Sequence, residues 1–148
     1  MTDQEPRARE VRNMELTNAY YGSAADGFNW DRVATMLSDD FFITEASDLP
    51  IAGTYRGVEG VAALYQKLLL DLIDVTRYEV YQMMAGGDWV VSLMNIYVRE
   101  EDGSELCMPI AESLRWRDGK LCEMKPYWFD SNHLKRAVEL KKKAAAAS

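Results

Sequence analysis

Residues 89–128, WVVSLMNIYVREEDGSELCMPIAESLRWRDGKLCEMKPYW, read as three strand-like runs joined by two hairpin turns. β-Branched, aromatic and methionine side chains fill the runs, and Glu101-Asp102-Gly103 and Arg117-Asp118-Gly119 supply the turn chemistry between them. A fourth run, TRYEVYQMM at 76–84, precedes them across the separator AGGD. Four long runs in succession predict an antiparallel meander.

Within this stretch one residue is out of keeping. Alternation places Met108, Ile110, Leu114 and Trp116 on one face of a strand, and Glu112 falls among them. The turn at Arg117-Asp118-Gly119 offers two registers. A two-residue loop pairs Glu112 with Lys125, whereas a three-residue type I turn with Gly119 left-handed pairs it with Met124. The second segregates the faces cleanly, with Glu112, Leu114 and Trp116 joining Cys122, Met124, Pro126 and Trp128, and it is the register expected. The same turn logic at Glu101-Asp102-Gly103 sets Ser92, Met94 and Ile96 beside Glu112, Ile110 and Met108. A carboxylate so placed has no cation near it, and desolvation raises its pKa.

Outward from the meander, the upstream half reads as helices with one early strand. A helix is expected from about Arg9 to Ser23. A short one follows the N-cap Asn29 with a stripe of Trp30, Val33, Ala34 and Leu37. FFITEAS (41–47) alternates as a strand with Phe41, Ile43 and Glu45 on one side, so a second glutamate ends an apolar row. DLPIAGTYRG (48–57) is loop and short strand, and Val58 to about Ile73 is the clearest amphipathic helix. Asp130 caps a last helix. The expected class is α+β, one sheet face covered by helices.

At 148 residues, 48% of them hydrophobic, the chain fits a single domain spanning 1–148, with 1–8 and 142–148 expected as flexible ends. The net charge of -7 argues against a nucleic-acid partner. The polar start lacks a signal-peptide core and no run is long enough for a membrane span, so a cytoplasmic, non-membrane protein is expected. Cys107 and Cys122 are too few for a disulfide framework and are expected on opposite faces. His133 is the only histidine and is expected at the surface, which removes Ser-His-Asp and Cys-His catalysis. No HExxH or Cys/His cluster marks a metal site, and GTYRGVEG matches neither a phosphate loop nor a dinucleotide fingerprint. No cofactor is expected.

The run MLSDDFFITEASDLPIAGTYRGVEGVAALY (36–65) and the ending WRDGKLCEMKPYWFDSNHL (116–134) resemble the NTF2-like superfamily, particularly its SnoaL-like and ketosteroid-isomerase-like members. The resemblance spans about Arg9 to Val138. It implies helices wrapped on a strongly curved, mostly antiparallel sheet as a cone with a deep apolar pocket, and a homodimer formed through the sheet. It implies little about activity, because this fold hosts isomerases, cyclases, hydrolases and binding proteins.

Carried over by position, the resemblance makes Glu45 the base, Glu112 the second acid and Tyr21 the hydrogen-bonding phenol. Tyr20, next in sequence, competes with Tyr21 for the inward place. Both acids are glutamate where the isomerase has aspartate, which disfavours steroid isomerisation itself and leaves proton transfer on another apolar cyclic or polyketide-like substrate. Trp30, Tyr55, Tyr65, Ser92, Met94, Leu114, Trp116, Met124 and Trp128 are the expected pocket residues. A non-catalytic small-ligand-binding or accessory protein, and an epoxide hydrolase or cyclase of the polyether type, are the alternative readings.

Overall fold

The structure is a computed structural model and describes residues 4–148. Its elements run α1 (Gln4–Ala24), α2 (Trp30–Met36), β1 (Leu37–Glu45), β2 (Gly53–Arg56), α3 (Gly57–Tyr65), β3 (Val75–Gly86), β4 (Trp89–Arg99), β5 (Glu105–Arg117), β6 (Lys120–Trp128) and α4 (Ser131–Ala146). The six strands form one sheet in the order β2-β1-β6-β5-β4-β3, antiparallel except where β1 runs parallel to β6. The fold is the expected α+β class. Of the two expected loose ends, 1–3 lie outside the described residues, 4–8 belong to α1, and α4 carries most of 142–148.

Asn29 caps α2 by accepting a hydrogen bond from Arg32 N at 3.1 Å, and Asp130 caps α4 through Asn132 N at 2.9 Å. Leu37, expected on the α2 stripe, instead begins β1, because its backbone is already extended at φ -94° and ψ 144°. The helix expected from Val58 to Ile73 divides. Past Tyr65 it widens into a π-helical segment, Gln66–Leu72, and Ile73 N donates back to Leu68 O to close it.

The β4–β5 hairpin has the expected register, with Ser92 opposite Glu112, Met94 opposite Ile110 and Ile96 opposite Met108. The β5–β6 hairpin does not. Arg117 pairs with Lys120, so Asp118 and Gly119 form a two-residue loop, both left-handed at φ 51° and 78°, as a type I′ turn requires. A bulge then leaves Cys122 unpaired between Trp116–Leu121 and Arg115–Glu123, and Glu112 stands opposite Pro126 instead of Met124. Beyond the bulge the expected pairing was wrong by two residues, which keeps each side chain on its own face, whereas between the turn and the bulge the shift is one, and Leu121 instead of the expected Cys122 joins the face of Trp116. Glu112, Leu114, Met124, Pro126 and Trp128 therefore do share one face.

That face is the buried one. β4 alternates with Val90, Ser92, Met94, Ile96 and Val98 all buried, and Phe41, Ile43 and Glu45 continue the same layer on β1. α1 covers it over β3 and β4, α3 over β1, and α4 over β5. A fully buried bond, Trp116 Nε1 to Thr17 Oγ1 at 2.9 Å, ties β5 to α1. Irregularities in β1–β6, β3–β4 and β5–β6 bend the sheet around this layer.

Candidate active site

A cavity of about 260 Å³ lies between the inner sheet face and the helices α1 and α3. Met94, Ile96, Ile110 and Met124 supply its apolar floor, and Leu64, Tyr65, Leu68 and Tyr21 its helical wall. Only two carboxylates enter this lining, Glu45 and Glu112, and no Lys, Arg or His among the described residues does.

Strand pairing determines how the two acids stand. β1 runs beside β6 with Ile43 next to Met124, which brings Glu45, two residues on, level with Pro126. Glu112 faces Pro126 from the other side. The two glutamates thus flank one proline, with backbones two strand spacings apart, roughly 10 Å. Their side chains project from the same face over the cavity floor.

Each acid has one neutral hydrogen-bond donor. Trp128 Nε1 donates to Glu45 Oε2 at 3.1 Å, and Tyr21 Oη donates to Glu112 Oε1 at 2.7 Å. Burial dominates at both. It raises Glu45 to about 8, against the opposing pull of the Trp128 bond and with a smaller push from the Glu112 charge. It raises Glu112 to about 7, partly offset by Tyr21. Glu45 is 4% exposed. Glu112 is half-buried and keeps accessible surface where it faces the cavity.

Both competing tyrosines point inward, for different purposes. Tyr21 reaches Glu112, while the Tyr20 hydroxyl pairs with that of Tyr65 at 3.0 Å. Burial, then the Glu112 charge, pushes the Tyr21 phenol well above its usual range, so it remains a donor.

Of the expected pocket residues, Tyr65, Met94, Met124 and Trp128 line the cavity. The others do not. Leu114 and Trp116 are fully buried under α1, toward the β5–β6 turn. Trp30 packs edge-on against Tyr65, with centroids 5.5 Å apart, and stands behind it. Tyr55, on β2 opposite Ile43, donates to Ile51 O at 2.7 Å and stands outside the lining. Ser92, fully buried opposite Glu112, has a hydroxyl with no hydrogen-bond partner among the described residues.

Phe28 and Tyr78 line the cavity without having been expected. Phe28 sits in the α1–α2 turn with a left-handed backbone at φ 48°, a place no periodic pattern marks. Tyr78 stands opposite Ile96 on the inner face and donates to Asp26. Its place follows from the β4 register, but only once the β3 bulges are known.

A cone of helices on a curved six-stranded sheet, enclosing two acids, defines a class of small-cavity α+β proteins. Residues 17–124 match the family model of the SnoaL-like domain, and the chain belongs to that family. Among solved structures, it is similar to an NTF2-like protein from Burkholderia xenovorans LB400, with 20% identity over 87% of this chain and 97% of that one and a TM-score of 0.70. A putative SnoaL-like polyketide cyclase from Jannaschia sp. CCS1 matches at 18% identity over 93% and 97%, with a TM-score of 0.70. A protein of ketosteroid isomerase-like fold from Catenulispora acidiphila, in complex with trimethylamine, matches at 18% identity over 85% and 93%, with a TM-score of 0.63. At these identities the likeness is one of fold. No curated protein matches. No helix among the described residues is long and apolar enough to cross a membrane.

Proposed function

We propose that this SnoaL-like protein is a cofactor-independent enzyme of the isomerase or cyclase type, moving a proton within a small apolar cyclic or polyketide-like substrate. The observation that carries this reading is the pair of cavity glutamates on either side of Pro126, each with its own neutral donor, over one apolar floor. A family that includes cyclases and a relative holding a small ligand support it.

In this mechanism Glu45 is the general base. Its raised pKa makes it a stronger base than an ordinary carboxylate, and Trp128 holds its far oxygen. A C–H next to a carbonyl gives its proton to Glu45 while negative charge builds on the carbonyl oxygen. Protonated Glu112, and Tyr21 once its hydroxyl turns from Glu112 to the substrate, donate hydrogen bonds to that oxygen, each worth about 3 kcal/mol. Returning the proton from Glu45 to another carbon completes an isomerisation, and attack of the enolate carbon on a second carbonyl, with Glu45 giving its proton to the alkoxide formed, completes a cyclisation. The test is solvent-deuterium incorporation into one- and two-ring ketones, followed by NMR. No exchange above the buffer rate across such a panel rejects the reading.

The reactive form has Glu45 ionised and Glu112 protonated, so the pair holds one proton; because Glu45 keeps its proton to about 8 and Glu112 to about 7, it is the less populated of the two one-proton forms, about one pair in ten. With Glu112 near 7 and Glu45 near 8, that state is gained as the first proton leaves and lost as the second leaves. The kcat/KM profile is therefore a narrow bell centred at about pH 7.5. Glu112→Gln keeps a donor and cannot titrate, so its profile rises to an alkaline plateau, with a loss of roughly tenfold at the optimum. A wild-type profile flat from pH 6 to 9 contradicts the assignment.

A homodimer through the outer sheet face belongs to the same reading. Trp89 and Tyr127 leave apolar surface there, at 38% and 57% exposure. Sedimentation velocity at micromolar concentration is expected to give about twice the monomer mass, and Tyr127→Glu to give the monomer, because a charge buried in such a face is costly.

A further inference from the structure

The cavity lacks something that two buried carboxylates ordinarily have. Buried acids are paired with a cation or neutralised by a proton. Here the titratable groups near the two acids are Tyr20 and Tyr21 from α1, Tyr65 from α3 and Tyr55 from β2, all neutral donors or acceptors, and the lining Tyr78 of β3 is bonded to a further acid, Asp26. β4 contributes Met94 and Ile96 to the lining, and β6 contributes Met124, Pro126 and Trp128. The nearby cations are turned away. Arg115 lies on the outer face against Glu123, Lys125 shares that face, and Arg117 pairs with Asp40 at 2.7 Å. Beside Glu112, the buried Ser92 hydroxyl has no partner among the described residues.

Around these acids stand the aromatic rings of Phe28, Tyr65, Tyr78 and Trp128. Ring faces carry negative potential and attract cations, most strongly where water is excluded. Once either acid ionises, a lining of two acids, four rings and no positive side chain is electrostatically negative. An anionic ligand has nothing to meet it. Size narrows the choice further: an engineered cavity of about 150 Å³ takes up benzene, so 260 Å³ admits one ring with substituents or two small rings.

We propose that this cavity binds an apolar cation, a protonated or quaternary amine of one to two rings, whose positive nitrogen lies between Glu45 and Glu112 and supplies their missing countercharge. Binding drives a proton off the acid pair, since a neutral carboxylic acid gains little from the cation and a carboxylate gains much. This rests on the charge and shape of the cavity and stands whether or not the acids catalyse proton transfer.

The test compares trimethylanilinium with tert-butylbenzene, the same shape with and without a charge. Binding is read by quenching of tryptophan fluorescence and, for the cation, by calorimetry in two buffers of different ionisation enthalpy. With an acid near 7 ionising, the cation's affinity is expected to rise about tenfold between pH 6 and 7.5 and that of the neutral isostere to stay level. The calorimetric enthalpy is expected to depend on the buffer, reporting proton release. The double variant Glu45→Gln/Glu112→Gln, which leaves no titrating acid in the lining, is expected to flatten the cation's pH dependence. Equal affinity of the two probes at pH 8, or a cation affinity independent of pH, overturns the proposal. Deuterium exchange into a neutral ketone is scored separately. Cation preference without exchange supports this inference and removes the catalytic reading; exchange without cation preference does the reverse.

Discussion

Glu45→Gln is expected to lower deuterium incorporation into any ketone substrate by about 10³-fold, within the range that removal of a positioned general base produces. The substitution is close to isosteric, and Trp128 Nε1 can donate to the amide oxygen as it does to the carboxylate at 3.1 Å. The cavity and the Tyr21–Glu112 bond are untouched, so substrate affinity is expected to change little and the loss to fall on turnover. Glu45→Asp keeps the base and withdraws it by about one methylene, enough to cost on the order of 10²-fold when the bound geometry is otherwise fixed. Exchange rates followed by NMR at saturating ketone check both. A Glu45→Gln protein with more than half the wild-type rate places the base elsewhere in the cavity.

The fold was legible in the sequence wherever side-chain alternation and turn chemistry agreed. Ser92, Met94 and Ile96 meet Glu112, Ile110 and Met108 as expected, because β4 and β5 are unbroken and their connection fixes the register. At β5–β6 the turn and the bulge at Cys122 each displaced the pairing, and only the parity beyond the bulge came through, since a bulge leaves no periodic trace in sequence. The pair Tyr20 and Tyr21 was beyond periodicity for another reason. α1 packs on the sheet through β3 and β4 and also on α2, so neighbouring positions are buried on different sides. The wall was read least well where the chain is irregular: Phe28 in a left-handed turn, Leu68 and Leu69 in the π-helical segment, and Tyr78 beyond a bulge. Trp116 and Leu114 were placed on the correct face and the wrong part of it. Parity tells inside from outside, but it does not tell cavity wall from packed core.

The stability of this protein is expected to fall as pH rises from about 5.5 to 8.5, opposite to the trend of a domain stabilised by salt-bridged carboxylates. The direction follows from the two cavity acids. An ordinary glutamate near 4.5 is ionised in the unfolded chain throughout this window, whereas folded Glu45 and Glu112 hold their protons to about 8 and 7. The folded state binds more protons, so its advantage is greatest below the unfolded value and is lost as pH climbs through the folded ones. At about 1.4 kcal/mol for each tenfold difference in proton affinity between the folded and unfolded chain, the loss between pH 5.5 and 8.5 is on the order of 5 kcal/mol, a large part of the stability of an ordinary domain. Asp40, Glu79, Glu100 and Asp102 are shifted the other way by their hydrogen bonds, but their titration lies below this window. The double variant Glu45→Gln/Glu112→Gln removes both cavity protons while keeping side-chain volume. Urea unfolding at pH 5.5 and 8.5 is expected to give a steep difference for the wild type and a nearly flat one for the double variant, which becomes the more stable protein at pH 8.5. General repulsion among the surplus acidic groups of a chain with net charge -7 acts on both proteins alike and cancels in the comparison. Equal pH slopes for the two would mean that these glutamates titrate as ordinary surface acids, and the site would lose its base and its proton donor together.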